Sequence, residues 1–160
     1  MRLITMPSPI LPVAPAACPM PTAGHDSIRP CRIVIIEDDA SIRQAFTWAL
    51  QDLDCEIISS SHITDALAQM MRLEFIPDAI IADYHLDSEM SGLRIIRLIR
   101  RLFRVDLPAV VITGDVSAAE FAEQSEGILW LFKPVGYTSL AILIEEFRAS
   151  MERRSLTNEI

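Results

Sequence analysis

The chain has 160 residues, of which 51% are hydrophobic and 22% are charged, a composition typical of one folded domain and unlike that of a disordered protein. Its 22 acidic residues outnumber the 14 basic residues, and the net charge of −8 disfavours a general nucleic-acid binder, which needs Lys and Arg to contact phosphates. No run of about eighteen apolar residues occurs, so the sequence predicts no membrane-spanning segment.

The first thirty residues hold seven of the ten prolines, and residues 1–30 are therefore predicted to be a disordered, proline-rich tail. Proline fixes φ and lacks a backbone donor, so this segment is not expected to form a helix or a central strand. A signal peptide is the alternative interpretation, because residues 16–18 (Ala-Ala-Cys) are similar to a lipoprotein cleavage site. The prolines that interrupt the apolar stretch before that site disfavour it.

From residue 32 onward, short apolar runs alternate with segments of helical periodicity. The apolar runs predict strands covered on both faces, at 33–36, 55–58, 79–82, 109–112 and 128–131. Apolar residues three and four positions apart predict amphipathic helices, at 42–53, 63–71, 92–104, 117–124 and 140–151. This alternation predicts an α/β domain over 31–152, with a parallel sheet between two layers of helices, and a short tail over 153–160.

Polar side chains follow four of the five predicted strands. In an open α/β sheet, ligands bind beyond the carboxyl ends of the strands, so these side chains are expected to meet at one edge. They are Glu37, Asp38 and Asp39 after the first strand, Asp83 after the third, Thr113 at the end of the fourth, and Lys133, the only lysine, after the fifth.

This set of side chains is suited to phosphoryl transfer. Two carboxylates about 4 Å apart repel by roughly 4 kcal/mol at an effective dielectric near 20, so a cation is expected to offset the acidic cluster. Ligands that are all oxygens favour Mg²⁺, with Mn²⁺ as the alternative, and no His or Cys is placed for zinc. A carboxylate can act as a nucleophile, while Lys133 and Thr113 can contact the oxygens of an anion. Taken singly, each residue also has a structural interpretation. Asp38 or Asp39 could cap the first helix, Thr113 could simply end a strand, and Lys133 could be a solvated side chain before a proline.

Four motifs in order, VIIEDD, IIADYHL, VVITGD and WLFKPV, resemble the receiver domain of two-component response regulators, including the detached receivers of hybrid sensor kinases. The resemblance covers the chain from residue 32 to about 150. The fold that it implies is a doubly wound, five-stranded parallel sheet of the flavodoxin-like order 2-1-3-4-5, with helices on both faces.

The resemblance also implies a metal site beside a phosphoacceptor. Asp83 would accept the phosphoryl group, and Glu37, Asp38 and Asp83 would hold Mg²⁺ together with the backbone carbonyl of His85. Asp39 matches a position that varies in the family and is left out of this set. The His85 ring, two residues after the phosphoacceptor, is either a regulator of dephosphorylation or a solvated loop residue.

In the same resemblance, Thr113 and Lys133 would contact the phosphoryl oxygens, and the Lys133–Pro134 peptide bond is typically cis. Thr113 would move toward the phosphate and change the surface formed by the fourth helix, fifth strand and fifth helix. Trp130 occupies the position of the usual aromatic switch residue, three before the lysine. An indole is bulky and can only donate a hydrogen bond, so Trp130 is either an altered switch or a partly buried edge-strand residue.

We therefore expect a Mg²⁺-dependent response regulator that accepts a phosphoryl group from a phosphohistidine of a sensor kinase or histidine phosphotransfer protein. Beyond its own phosphotransfer and dephosphorylation, no enzyme activity is expected. The segment after the last helix is too short for an output domain, so we expect a single-domain regulator that contacts an unknown downstream protein. No nucleic-acid or membrane partner is expected, and three cysteines without a C-x-x-C spacing are typical of a reducing, cytoplasmic location.

Two other functions would use the same residues. A pseudo-receiver would keep the fold and bind partners without phosphorylation. It is disfavoured because the chain keeps the whole set of site residues, namely Glu37, Asp38, Asp83, Thr113 and Lys133. A Mg²⁺-dependent phosphohydrolase would use an aspartyl nucleophile after the first strand. This chain has Glu37 at that position, which disfavours the hydrolase as well.

Arg94, Arg97, Arg101 and Arg104 form a stripe along the third predicted helix, with Arg100 beside it. The favoured interpretation is a solvated helix face that balances an acidic domain. A docking surface or a nucleic-acid contact is the alternative.

Overall fold

The computed structural model describes residues 29–86, 90–118 and 127–158, in which five strands and four α-helices form. The strands are β1 (Cys31–Ile36), β2 (Cys55–Ser60), β3 (Ala79–Asp83), β4 (Ala109–Thr113) and β5 (Ile128–Phe132). The helices are α1 (Ala40–Asp52), α2 (Ile63–Arg72), α3 (Gly92–Phe103) and α4 (Tyr137–Asn158), and Val116–Ala118 form a 3₁₀ turn. None of these helices combines the length and hydropathy that a membrane crossing requires.

The five strands are parallel and lie in the order β2-β1-β3-β4-β5, which confirms the predicted fold class and strand order. β1 lies between two neighbours, because Ile33 is in register with Ile57 of β2 and with Ala79 of β3. Parallel neighbours must be joined by a crossover, and α1, α2 and α3 supply the first three. The carboxyl ends of all five strands therefore lie along one edge of the sheet.

Helices cover both faces of this sheet. On one face, Leu50 of α1 and Ile144 of α4 belong to the same buried cluster as Ile33. On the other face, α2 and α3 pack against the sheet, and Ile96 shares a buried cluster with Val34. Successive residues of β1 point to opposite faces, so both sets must be apolar, and this explains a β-branched run without polar alternation.

The last helix is longer than predicted. Its apolar pattern ends at Met151, whereas α4 continues to Asn158 through most of the predicted tail over 153–160. Met151 is buried, and Arg154 Nη2 donates a 3.0 Å hydrogen bond to the carbonyl oxygen of Asp78, so contacts with the rest of the fold support the added turns. The predicted helix over 117–124 falls mostly on residues 119–126, which lie outside the described residues, as do 1–28 of the predicted tail.

Asp78, immediately before β3, connects the beginning of the described chain to the sheet. Its carboxylate is buried and accepts hydrogen bonds of 2.7 and 2.8 Å from the two terminal nitrogens of Arg29. The backbone N–H of Arg32 donates a third, at 2.9 Å. This ion pair was not predicted from the sequence, because a single acid before a strand carries no periodic signal.

Candidate functional site

The sheet brings residues that are far apart in the chain to one edge. Glu37 and Asp38 directly follow β1, Asp83 is the last residue of β3, and Lys133 directly follows β5. One ligand oxygen from each of Glu37, Asp38 and Asp83 lies within 4.8 Å of the others. The predicted meeting of these side chains at one sheet edge is therefore observed.

Asp39 has a different position from the two acids before it. Its Oδ1 accepts hydrogen bonds from the backbone N–H groups of Ser41 at 2.8 Å and Ile42 at 3.0 Å, which makes Asp39 the N-cap of α1. The structural interpretation of an acid after the first strand thus holds for Asp39. Glu37 and Asp38 remain for the acidic cluster, in agreement with the omission of Asp39 from the predicted metal set.

Lys133 joins two of the three carboxylates. Its Nζ lies 3.0 Å from Glu37 Oε2 and 3.1 Å from Asp83 Oδ2, and both acids are buried. Burial of the amine lowers its pKa, but hydrogen bonds and charge interactions with the two carboxylates outweigh that effect and raise the pKa of Lys133. The ammonium therefore stays charged and partly offsets the negative charge of the cluster.

The pKa of Glu37 reflects its burial in a cluster of negative charge. Burial raises the pKa of Glu37 to about 7. The charge of Asp83 also raises this pKa, whereas the hydrogen bond from Lys133 lowers it. A single ammonium is thus insufficient to keep Glu37 fully ionised at neutral pH. A divalent cation among the three carboxylates would favour the ionised form, and an all-oxygen donor set fits Mg²⁺ or Mn²⁺.

Thr113 ends β4 next to this cluster and is fully buried. Its Oγ1 accepts a 3.0 Å hydrogen bond from the N–H of Asp115, which leaves its own hydroxyl proton available to an anion. Its carbonyl oxygen accepts a 2.8 Å hydrogen bond from the N–H of Lys133, so β4 positions the lysine backbone. The Lys133–Pro134 peptide bond is cis, as the family resemblance implies.

The aromatic residues around the site form a connected group. The Tyr84 ring lies 4.8 Å from the His85 ring in an edge-on arrangement and 5.4 Å from the Trp130 ring, measured between centroids. His85 is exposed, and its Nε2 lies 3.6 Å from Asp115 Oδ2. Trp130 is partly buried, with an Nε1 that has no hydrogen-bond partner within the described chain. A switch role for Trp130 and a metal contact of the His85 carbonyl both stay predictions.

Two residues that shape the site were not predicted from the sequence. Arg43 of α1 donates to the carbonyl oxygens of Glu37 at 2.7 Å and Asp38 at 3.2 Å, so it holds the backbone of the acidic pair. Gly92, the first residue of α3, packs on β3 so closely that a Cβ there would overlap with the carbonyl oxygen of Asp83. The position of Arg43 one helical turn after the acids was a usable signal, whereas the contact of Gly92 depends on tertiary packing alone.

Comparison with known proteins gives a family match over most of the chain. A model described as "Response regulator receiver domain" matches residues 33–145. A search of curated proteins gave no match.

Solved structures with a similar fold come from several organisms. A response regulator receiver domain protein from Clostridium thermocellum has 24% identity and a TM-score of 0.66, over 79% of this chain and 98% of that one. The chemotaxis response regulator CheY4 of Vibrio cholerae has 23% identity and a TM-score of 0.61, over 74% of this chain and 98% of that one. A CheY-like receiver domain protein from Methanospirillum hungatei JF-1 has 20% identity and a TM-score of 0.65, over 78% and 98%. At these identities the likeness concerns the fold.

The strand order, the acidic edge and the family match together define an α/β domain of the receiver class. The chain belongs to the response regulator receiver domain family. The predicted family is thereby confirmed, while a particular similarity to receivers of hybrid sensor kinases stays a prediction.

Proposed function

We propose that this receiver domain accepts a phosphoryl group on Asp83 from a phosphohistidine of a sensor kinase or histidine phosphotransfer protein. The observation that supports this most directly is the position of Lys133 Nζ, 3.0 Å from Glu37 Oε2 and 3.1 Å from Asp83 Oδ2. An ammonium that contacts both a proposed metal ligand, Glu37, and the Asp83 carboxylate is suited to bind a phosphoryl oxygen next to Asp83.

The proposed metal set is Glu37, Asp38, Asp83 and the backbone carbonyl of His85. The three carboxylates fit Mg²⁺ by their chemistry, because all are oxygen donors and one atom of each lies within 4.8 Å of the others. When bound, Mg²⁺ would neutralise charge on the transferring phosphoryl oxygens.

In the proposed transfer, a carboxylate oxygen of Asp83 attacks the phosphorus atom of the donor in line with the leaving imidazole. A new O–P bond forms as the P–N bond breaks, and the imidazole nitrogen keeps the electron pair of that bond. Lys133 and Thr113 would hold the transferred group through an ammonium and a hydroxyl contact. Water later attacks phosphorus, which releases phosphate and restores the Asp83 carboxylate.

This proposal assigns the protein a role in signal transfer and no catalysis on other substrates. We propose that the phosphorylated form acts through contacts with a downstream protein, and that the reaction takes place in the cytoplasm. The expectation of a single-domain regulator stays a prediction alongside it.

The proposal is tested by incubating the protein with acetyl phosphate and Mg²⁺ and measuring its intact mass. We expect the addition of one phosphoryl group in the wild type, its loss in the presence of EDTA, and its loss in Asp83→Asn. Asp65→Asn is a matched control, because Asp65 is an exposed acid on α2 and its substitution changes the net charge equally. Circular dichroism confirms that each variant is folded.

An adduct that persists in Asp83→Asn would contradict the assignment of the acceptor. If the folded wild type forms no adduct with acetyl phosphate or with a second small donor such as phosphoramidate, the proposal fails. The pseudo-receiver would then be the better description.

A further inference from the structure

Helix α3 presents an unusual charged surface to solvent. Its buried side consists of Ile95, Ile96 and Ile99, which pack in the core on one face of the sheet. The opposite side carries exposed arginines at i, i+3 and i+7, followed by one at the C-cap. We call this surface the α3 arginine face, and its members are Arg94, Arg97, Arg101 and Arg104.

Among the residues that the structure describes, the arginines of this face do not stabilise the fold through salt bridges. Across 29–86, 90–118 and 127–158, none of the four forms an ion pair or a side-chain hydrogen bond. Arg100, on the same helix, is different, since it pairs with Asp106 at 3.0 Å and donates to the carbonyl oxygens of Leu107 and Gly127. Like charges three and four residues apart destabilise a helix by about 0.2–0.5 kcal/mol per pair, so the face costs stability.

Charge is also strongly segregated between this helix and the remaining chain. Residues 92–104 contain five arginines and no acidic residue, whereas the rest of the chain has 9 basic and 22 acidic residues, a net charge of −13. The net charge of −13 on the rest of the chain repels an extended polyanion, such as DNA or an anionic membrane, and so disfavours it as the ligand of this helix. A ligand with a few discrete carboxylates avoids this repulsion.

Two exposed apolar side chains occur in the last turn of α3 and just beyond its C-cap. Leu102 is 55% exposed and Val105 is 42% exposed, and both are close in sequence to Arg101 and Arg104. From Arg94 to Arg104 the chain advances about 15 Å along the axis, at about 1.5 Å per residue, which is the length of roughly three helical turns. The arginines themselves support a docking surface, because arginine is enriched at protein–protein interfaces and among the residues that contribute most to binding.

We propose that the α3 arginine face binds a carboxylate-rich helix of a partner protein. Arginine pairs with carboxylates in a bidentate manner, and carboxylates at i, i+3 and i+7 of a partner helix would match the observed spacing. The proposal does not depend on phosphorylation of Asp83, since it uses none of the residues of the acidic cluster.

The test uses a fluorescein-labelled synthetic helical peptide with glutamates at i, i+3, i+7 and i+10 and leucines between them. Its binding to the full-length protein is measured by fluorescence anisotropy at low and high salt. Arg101→Glu is compared with Arg72→Glu, because Arg72 is also an exposed arginine in the last turn of a helix. Both reversals change the net charge and the helix end equally, and circular dichroism confirms that both variants are folded.

We expect salt-sensitive binding to the wild type and to Arg72→Glu, weakened about tenfold or more in Arg101→Glu. Amide chemical shifts that change on peptide addition should lie within 92–105. Equal weakening by both reversals, or no binding to the wild type, would overturn the proposal. So would tighter binding of a duplex DNA through the same arginines, or salt-sensitive self-association that Arg101→Glu abolishes, since these assign the face to a different occupant.

Discussion

Replacement of Lys133 by methionine tests the central contact of the site. The lysine ammonium lies 3.0 Å from Glu37 Oε2 and 3.1 Å from Asp83 Oδ2, and its side chain is 24% exposed. At an effective dielectric near 20, each contact has a gross attraction of about 5 kcal/mol, most of which the desolvation of the charges cancels. Methionine keeps an unbranched apolar stem and removes the ammonium, with its charge and its hydrogen bonds to the two carboxylates.

Loss of one partner of a buried ion pair destabilises proteins by about 3–5 kcal/mol. Two features of this site reduce that cost. The amine is partly solvated, and Glu37, whose pKa is raised to about 7 by burial, can take up a proton when the ammonium is lost. For the metal-free protein, we therefore expect Lys133→Met to lower the free energy of unfolding by about 2 kcal/mol.

The assay is urea unfolding in EDTA, followed by tryptophan fluorescence, for the wild type, Lys133→Met, Glu37→Gln and the double variant. Because Lys133 and Glu37 are in contact, the cycle should give a coupling energy of at least about 0.5 kcal/mol. Mg²⁺ should stabilise Lys133→Met more than the wild type, since the lysine no longer competes for the carboxylates. Additive effects within about 0.3 kcal/mol, or an unchanged stability of Lys133→Met, would refute this reasoning.

Three further predictions concern packing, pH and the Asp78 pair. Gly92→Ala should destabilise the protein by about 1–3 kcal/mol in urea unfolding and weaken Mg²⁺ binding, because the added methyl group displaces the carbonyl of Asp83. Glu37 has its pKa raised by burial from 4.5 to about 7, so the folded state binds the extra proton between those values. The Glu37 contribution to stability of the metal-free protein is thus fully present below about pH 4.5 and is lost as the pH rises through about 7, by up to about 3 kcal/mol. Asp78→Asn should cost about 2 kcal/mol, because the buried Asp78 carboxylate accepts hydrogen bonds from both Arg29 and the Arg32 N–H, whereas Arg29→Ala should cost less than about 1 kcal/mol, because Arg29 is half exposed and water can replace it.

Each of these predictions has a matched control. Gly136→Ala should leave stability nearly unchanged, since a Cβ at Gly136 has no neighbour within 4 Å, and an equal loss in both glycine variants would contradict the packing argument. The free energy of unfolding is measured against pH for the wild type and for Glu37→Gln. Taking the difference between the two curves removes the contribution of other titrating groups. If the wild type instead became more stable relative to Glu37→Gln as the pH rose, the result would contradict the predicted sign. Equal costs for Asp78→Asn and Arg29→Ala would contradict this prediction, because the half-exposed guanidinium would then contribute as much as the buried carboxylate.

Local patterns in the sequence were sufficient to predict the α/β class and the edge at which the site forms, whereas the strand order was implied by the family resemblance. The run 33–36 has no polar alternation because both faces of β1 are covered, and the same is true of the runs that became β3 and β4. Since the carboxyl ends of parallel strands lie together, the acids after β1 and β3 and the lysine after β5 could be assigned to one edge. Periodicity and strand-end chemistry are local, so a single sequence records them.

Contacts between distant residues could only be decided by the tertiary structure. Three successive acids follow β1, and only the geometry of the first turn of α1 shows that Asp39 is the cap. The contacts of Lys133 span 96 residues to Glu37 and 50 to Asp83. The closeness of Gly92 to the Asp83 carbonyl likewise depends on how α3 packs against β3. Such contacts arise when elements from separate parts of the chain meet in the packed sheet, where side-chain positions depend on neighbours that local sequence patterns do not specify.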